Sequence, residues 1–97
     1  MDKNLSLQDM EKIELSEELE SLIEILAIQV HQTWMKQRLE DGWRYGTERN
    51  DIKKTHPCLV PYDQLPESEK LYDRNTAYTT IRSIIAAGYK IVFESNK

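Results

Sequence analysis

Residues 40–62 read EDGWRYGTERNDIKKTHPCLVPY, and the way this stretch folds decides the architecture around it. Neither a 3.6-residue nor a two-residue apolar period runs through it, so it reads as a loop and not as a regular element. A loop of this length inside a small domain is usually either functional or disordered. Trp43, Tyr45, Tyr62 and the apolar pair Leu59-Val60 argue for order, because such side chains need a surface to pack on. The same stretch holds Arg44, Arg49, Lys53 and Lys54, two glycines (Gly42 and Gly46) and His56-Pro57. It is the first place to look for a binding site.

Helical signals flank the loop on both sides. Ser6, with Asp9 three residues on, is a capping residue for a short helix, and Ser16 before Glu17-Glu18 is a stronger start. Before them the chain is polar, acidic and expected to fray. From Glu17 to about Asp41 the pattern is helical, with Gly42 as the stop. This helix carries two apolar stripes: Leu19, Leu22, Ile23, Leu26, Val30 and Trp34 on one side, and Ile25, Ile28, Met35 and Leu39 roughly opposite at about 100° per residue. A helix apolar on two sides is expected to be sandwiched, within its own domain or between the domain and a partner.

Beyond the loop, Asp63-Gln64-Leu65-Pro66-Glu67 announces a second helix over about Glu67 to Asp73, with Pro66 in its first turn. Asn75 or Thr76 is then expected to cap a third, running through Ala87 and ended by Gly88. Its buried stripe would be Ala77, Ile81, Ile84 and Ile85, with Tyr78, Arg82 and Tyr89 towards another face. The tail, Tyr89 to Phe93, alternates weakly and predicts a short strand whose mate would be Cys58-Leu59-Val60. The expected fold is therefore mainly α: a long helix, an ordered aromatic-basic loop and two further helices, with at most a short β element. Residues 1–24 form an acidic, partly helical segment and residues 25–97 the body.

The chain has 97 residues, 39% hydrophobic and 31% charged, enough for one domain with its own core. Its net charge of −4 is uneven. Residues 1–24 carry eight acidic and two basic side chains, and residues 25–97 nine acidic and eleven basic. This is not the strongly basic footprint of a nucleic-acid binder. No apolar run approaches the roughly 20 residues of a membrane span, and the first residues lack the layout of a secretory signal. A single cysteine, Cys58, excludes an internal disulfide and fits a reducing compartment, so the cytoplasm is the expected location. Asn4-Leu5-Ser6 matches a glycosylation acceptor, which carries no meaning there.

The residues make neither a catalytic nor a metal-binding pattern. His56 and Cys58 are two apart, which is not a usual zinc spacing, and with His31 alone they make no metal set. A Cys58 nucleophile would need His56 as base, but Pro57 between them forces an extended turn; a small buried thiol beside Leu59-Val60 explains Cys58 better. Glu40-Asp41 and Glu67/Glu69 sit at helix ends, where capping and dipole effects account for them. Gly42 and Gly46 do not make a phosphate loop. No catalytic residue, cofactor or metal is expected.

What stands is a binding constellation. Trp34, Trp43, Tyr45 and Tyr62 offer flat faces, and Arg38, Arg44, Arg49, Lys53 and Lys54 offer cationic donors. Aromatic faces beside guanidinium groups suit a purine or a phosphorylated small molecule, through stacking of about 1–3 kcal/mol per base and charge-assisted hydrogen bonds. The competing reading makes the tryptophans the core of a small helical domain and pairs Arg38 with Glu40 or Asp41.

The stretch from Val30 to Ile91 resembles the repeat domain of ryanodine receptors. The shared points are Trp34 and Arg38 on the helix, Gly42-Trp43 with Tyr45-Gly46, Arg49 with Asp51 and Lys54, and His56-Pro57 with Leu59-Val60. Leu65-Pro66-Glu67 with Glu69 and the closing Gly88 complete the series. The resemblance implies a helical module that binds instead of catalysing; in the calcium-release channels such repeats occur as tandem pairs with pseudo-two-fold symmetry. It also implies that a single copy, without a membrane segment, pairs with itself and is no channel. The residues expected at a small anionic or nucleotide-like ligand are Trp34, Arg38, Trp43, Tyr45, Arg49, Asp51, Lys54, His56 and Tyr62. Ile25, Ile28, Met35 and Leu39 are expected at a homodimer face.

Overall fold

Ser16 sets the first long element: its hydroxyl accepts a hydrogen bond from the Leu19 amide at 3.3 Å, and helix α2 follows over Glu17–Glu40. Before it, Ser6 caps the short helix α1, Leu7–Glu11, by accepting from the Asp9 amide. The computed structural model describes residues 6–94, so the expected fraying of residues 1–5 and most of Asn4-Leu5-Ser6 lie outside the described residues. Asp41 caps the far end of α2, and Gly42 turns the chain away at φ 94°, in the left-handed region that glycine enters at little cost.

Two short strands clamp the loop that follows. β1, Arg44–Tyr45, pairs in parallel with β2, Thr55–His56, and between them Asn50 bridges back to Thr55. The Asn50 side chain accepts from the Ile52 and Lys53 amides at 3.0 and 2.9 Å, which forms a tight turn. Thr55 Oγ1 donates to the Glu48 carbonyl at 2.9 Å. Gly46 is needed for packing: a Cβ there would sit 2.6 Å from the Thr55 Cβ. The loop is thus ordered by its own backbone, and a 3-10 turn over Tyr62–Gln64 leads to helix α3, Glu67–Ala86.

α3 corrects the sequence reading. The second and third helices expected at Glu67–Asp73 and Asn75–Ala87 are one continuous helix, and Pro66 stands at its N-cap, just before its first turn. Asn75 and Thr76 lie mid-helix; the Thr76 hydroxyl donates to the Tyr72 carbonyl four residues back at 3.1 Å, which satisfies it without ending the helix. No glycine or proline interrupts residues 67–87. The expected tail strand is also absent: Tyr89 to Phe93 forms no strand and does not pair with Cys58-Leu59-Val60.

α2 and α3 run antiparallel. Tyr78 Oη donates to Glu20 Oε1 at 2.6 Å, Arg74 bonds Glu24 at 2.8 Å, and His31 faces Asp73, so rising numbers on one helix meet falling numbers on the other. The core has two parts. Ile23, Ala77 and Ile81 form one, with Leu19, Leu22, Leu26 and Ile85 packed round them. Ala27, Tyr62 and Leu65 form the other, with Ile28, Cys58 and Val60. Ile84, expected in the buried stripe, is on the exposed side. α1 and its linker rest on the far half of α3, where Arg82 Nε donates to the Ile13 carbonyl at 3.0 Å. The division expected between residues 24 and 25 falls inside α2.

Candidate functional site

The residues singled out in the loop fall into two groups. Trp34, Arg38, Trp43, Arg49 and His56 come together. The Arg38 guanidinium lies 4.7 Å from the Trp43 ring centroid and 5.7 Å from that of Trp34, and Arg49 lies 6.0 Å from Trp43. His56 meets Trp34 edge-on at 5.0 Å, and His31 stacks on Trp34 at 5.6 Å. Trp43 and Tyr62 are buried. The flat faces expected to await a ligand are therefore largely covered by the protein's own guanidinium and imidazole groups.

Most of the loop's cations are also engaged. Arg49 forms a two-pronged pair with Asp51, with Nε 2.8 Å from Oδ1, and this contact holds the Asp51 carboxyl below its usual range. Lys54 Nζ donates to the Asp41 carbonyl at 2.9 Å and so caps the end of α2; its own backbone sits at φ 58°. Arg44 donates to the Trp43 carbonyl at 2.7 Å. Tyr45 points outward from β1, apart from the others. Of the expected dimer face, Ile25 and Leu39 are exposed (57% and 43%), whereas Ile28 packs into the second core cluster and Met35 is half-buried.

A cleft of about 230 Å³ is walled in part by Trp34 and His56. Its further walls are His31 from α2, Cys58 and Leu65 from the loop, and Glu69, Tyr72 and Asp73 from α3. The last three are spaced i, i+3, i+4, which puts them on one helix face. That spacing was present in the sequence, but it was hidden by placing a helix end at Asp73. In the sequence His31 reads only as a candidate metal ligand.

The polar atoms of the cleft are defined by their partners. His31 Nε2 lies 2.7 Å from the Val60 carbonyl oxygen. A carbonyl only accepts, so this nitrogen carries the hydrogen. His56 Nδ1 accepts from the Cys58 amide at 3.0 Å, which leaves Nε2 as the donor of its neutral ring. Burial, reinforced by Arg49 and Arg38, lowers the His56 pKa and keeps that ring neutral near pH 7. Burial raises the Asp73 carboxyl, with Glu69 adding to the effect and His31 opposing it. Burial, then Glu69, pushes the Cys58 thiol up, so it is a poor nucleophile. Among the described residues no group of three His, Cys, Asp or Glu side chains is placed to hold a metal ion.

Two antiparallel helices, a short capped helix laid across one of them and a loop closed by a two-residue parallel pair define a small, mainly helical domain. The family model of the RyR domain matches residues 7–93, and the chain belongs to that family. The matched span includes α1 and the first turns of α2, which the motif series from Val30 onward leaves aside. Among the described residues no helix is long and apolar enough to cross a membrane.

Proposed function

We propose that this RyR-family domain is a non-catalytic module that binds a small ligand in the cleft between α2, α3 and the loop. One observation carries this reading: Trp34 and His56, both expected at a site, line a concavity together with the carboxylates of Glu69 and Asp73 and the exposed Tyr72. Concave, partly apolar sites with a few convergent polar groups are the usual form of small-ligand pockets. The loop's aromatics and cations, which suggested a purine nucleotide, are engaged with one another, and this favours the cleft over the loop surface as the seat. The single half-buried thiol suits a cytoplasmic setting.

Thermal unfolding against a panel of nucleotides, nucleosides and small amines tests the reading, together with native mass spectrometry of freshly purified protein. A binder raises Tm by mass action. The rise should vanish in Tyr72→Ala, whose side chain is on the surface and dispensable for packing. A flat panel together with a bare protein mass would overturn the proposal.

Self-association is the second reading. It is favoured by an apolar groove of about 610 Å³ between the start of α2 and the tail, lined by Leu19, Leu22, Ile25, Ile91, Val92 and Phe93. Exposed Ile25 links this groove to the second stripe of α2. A two-fold homodimer would cover both.

A further inference from the structure

Along α2, Glu18, Leu22, Ile25, Gln29, Gln32 and Lys36 stand at alternating intervals of four and three residues, which puts them in one line on the helix surface. Leu22 is half-buried and the others are exposed, Ile25 to 57%. The line begins with an acid and ends with a base. Between them, residues 25–35 hold no Asp, Glu, Lys or Arg, in a chain that is 31% charged. Among the described residues neither Glu18 nor Lys36 is ion-paired. Two hollows border the line. Glu18, Leu22 and Ile25 line the apolar groove of about 610 Å³, and Gln29 lines another of about 360 Å³ with Leu26, Val30 and Ala77.

A partner for this face must be uncharged at its middle, basic opposite Glu18 and acidic opposite Lys36. Reversed end to end, the line has that pattern itself. A second copy laid antiparallel, with the two-fold axis level with Ala27, sets Glu18 against the partner's Lys36 and Lys36 against the partner's Glu18. The same register sets Leu22 against the partner's Gln32 and Ile25 against the partner's Gln29. The helices then overlap over residues 17–37, and Glu40 lies beyond the overlap. A parallel copy would instead oppose Glu18 to the partner's Glu18, a like-charge contact. Flanking charge pairs set the orientation of paired helices in this way.

On the reading that the chain self-associates, we propose that the seam is this line of α2, packed antiparallel on the same line of a second copy. Glu18 and Lys36 fix its direction, and Leu22 and Ile25 supply the apolar contact.

Analytical ultracentrifugation of the full chain at low ionic strength tests this. Glu18→Lys and Lys36→Glu should each weaken the dimer about tenfold, because each reversal acts twice in a two-fold pair. An equimolar mixture of the two variants should dimerise again, as should the double variant. Lys53→Glu, exposed in the loop, should change nothing. Circular dichroism shows that the variants keep their helices. A dimer that ignores both reversals overturns the seam and leaves self-association standing. A dimer tightened by Glu18→Lys reports general repulsion between acidic chains and likewise overturns the seam. Two weakened variants that fail to pair when mixed overturn the antiparallel arrangement. A wild type that stays monomeric at millimolar concentration removes seam and self-association together, whether native mass spectrometry then finds the chain bare or bound to a foreign polypeptide.

Discussion

The guanidinium of Arg38 closes over Trp43 and reaches Trp34, and so joins the end of α2 to the loop. Such contacts contribute about 0.5–2 kcal/mol each, and the aliphatic stem adds packing. Arg38→Ala should therefore lower stability by about 1–3 kcal/mol, read as a fall in Tm of about 4–8 °C per kcal/mol for a domain of this size. Arg38→Lys should recover only part of it, since an ammonium cannot stack as a planar guanidinium does. At Asp73 the sign is opposite. Its carboxyl is raised by burial and by Glu69, with His31 opposing, so the ionised form costs the folded state stability. Below the ordinary aspartate value the carboxyl is protonated both folded and unfolded, and Asp73→Asn should change little there. As pH rises through the raised folded value, the wild type loses stability that the asparagine variant keeps. Tm curves for the two should separate upward from about pH 4 and run parallel at neutral pH. Coincident curves would show that Asp73 carries no such cost.

At the scale of elements, α3 and the loop clamp can be tested directly. If Asn75 were a cap, Asn75→Ala would cost about 1 kcal/mol. In the interior of a continuous helix it should gain a few tenths of a kcal/mol, because alanine is the better helix former. Urea unfolding separates the two cases by sign. Gly46→Ala should cost about 1–3 kcal/mol through its clash with the Thr55 Cβ, and Thr55→Gly should relieve the clash in the double variant. The bounds of α2 were legible because Ser16, the glutamates after it and Gly42 are local signals that act within one turn. The continuity of α3 was not, because Asn75 and Thr76 are good caps in isolation. Only Arg74, bound to Glu24 and Glu67, and Thr76, bonded back to Tyr72, show that packing overrides that preference. The clustering of Trp34, Arg38, Trp43 and His56 was legible as composition, but not the direction in which the faces turn. Glu69, Tyr72 and Asp73 come to line one cleft with Trp34 and His56 only when α3 lies antiparallel on α2, a tertiary fact with no local signature.

For the whole molecule, the proposed self-association is tested at the exposed Ile25 and the groove beside it. Light scattering should find a dimer at high concentration, and Ile25→Glu should shift it to monomer without loss of helicity. Ile28→Glu is a poorer probe, since Ile28 packs in the domain's own core and the change would unfold it. A wild type that remains monomeric at millimolar concentration would leave the groove without this role. The arrangement of the helix pair has one more consequence. α1 lies on the far half of α3 and the tail runs beside the start of α2, so both lie at one end of the helix pair, while the cleft is lined by residues nearer the other. An attachment made through α1 or through the tail would therefore sit away from the cleft.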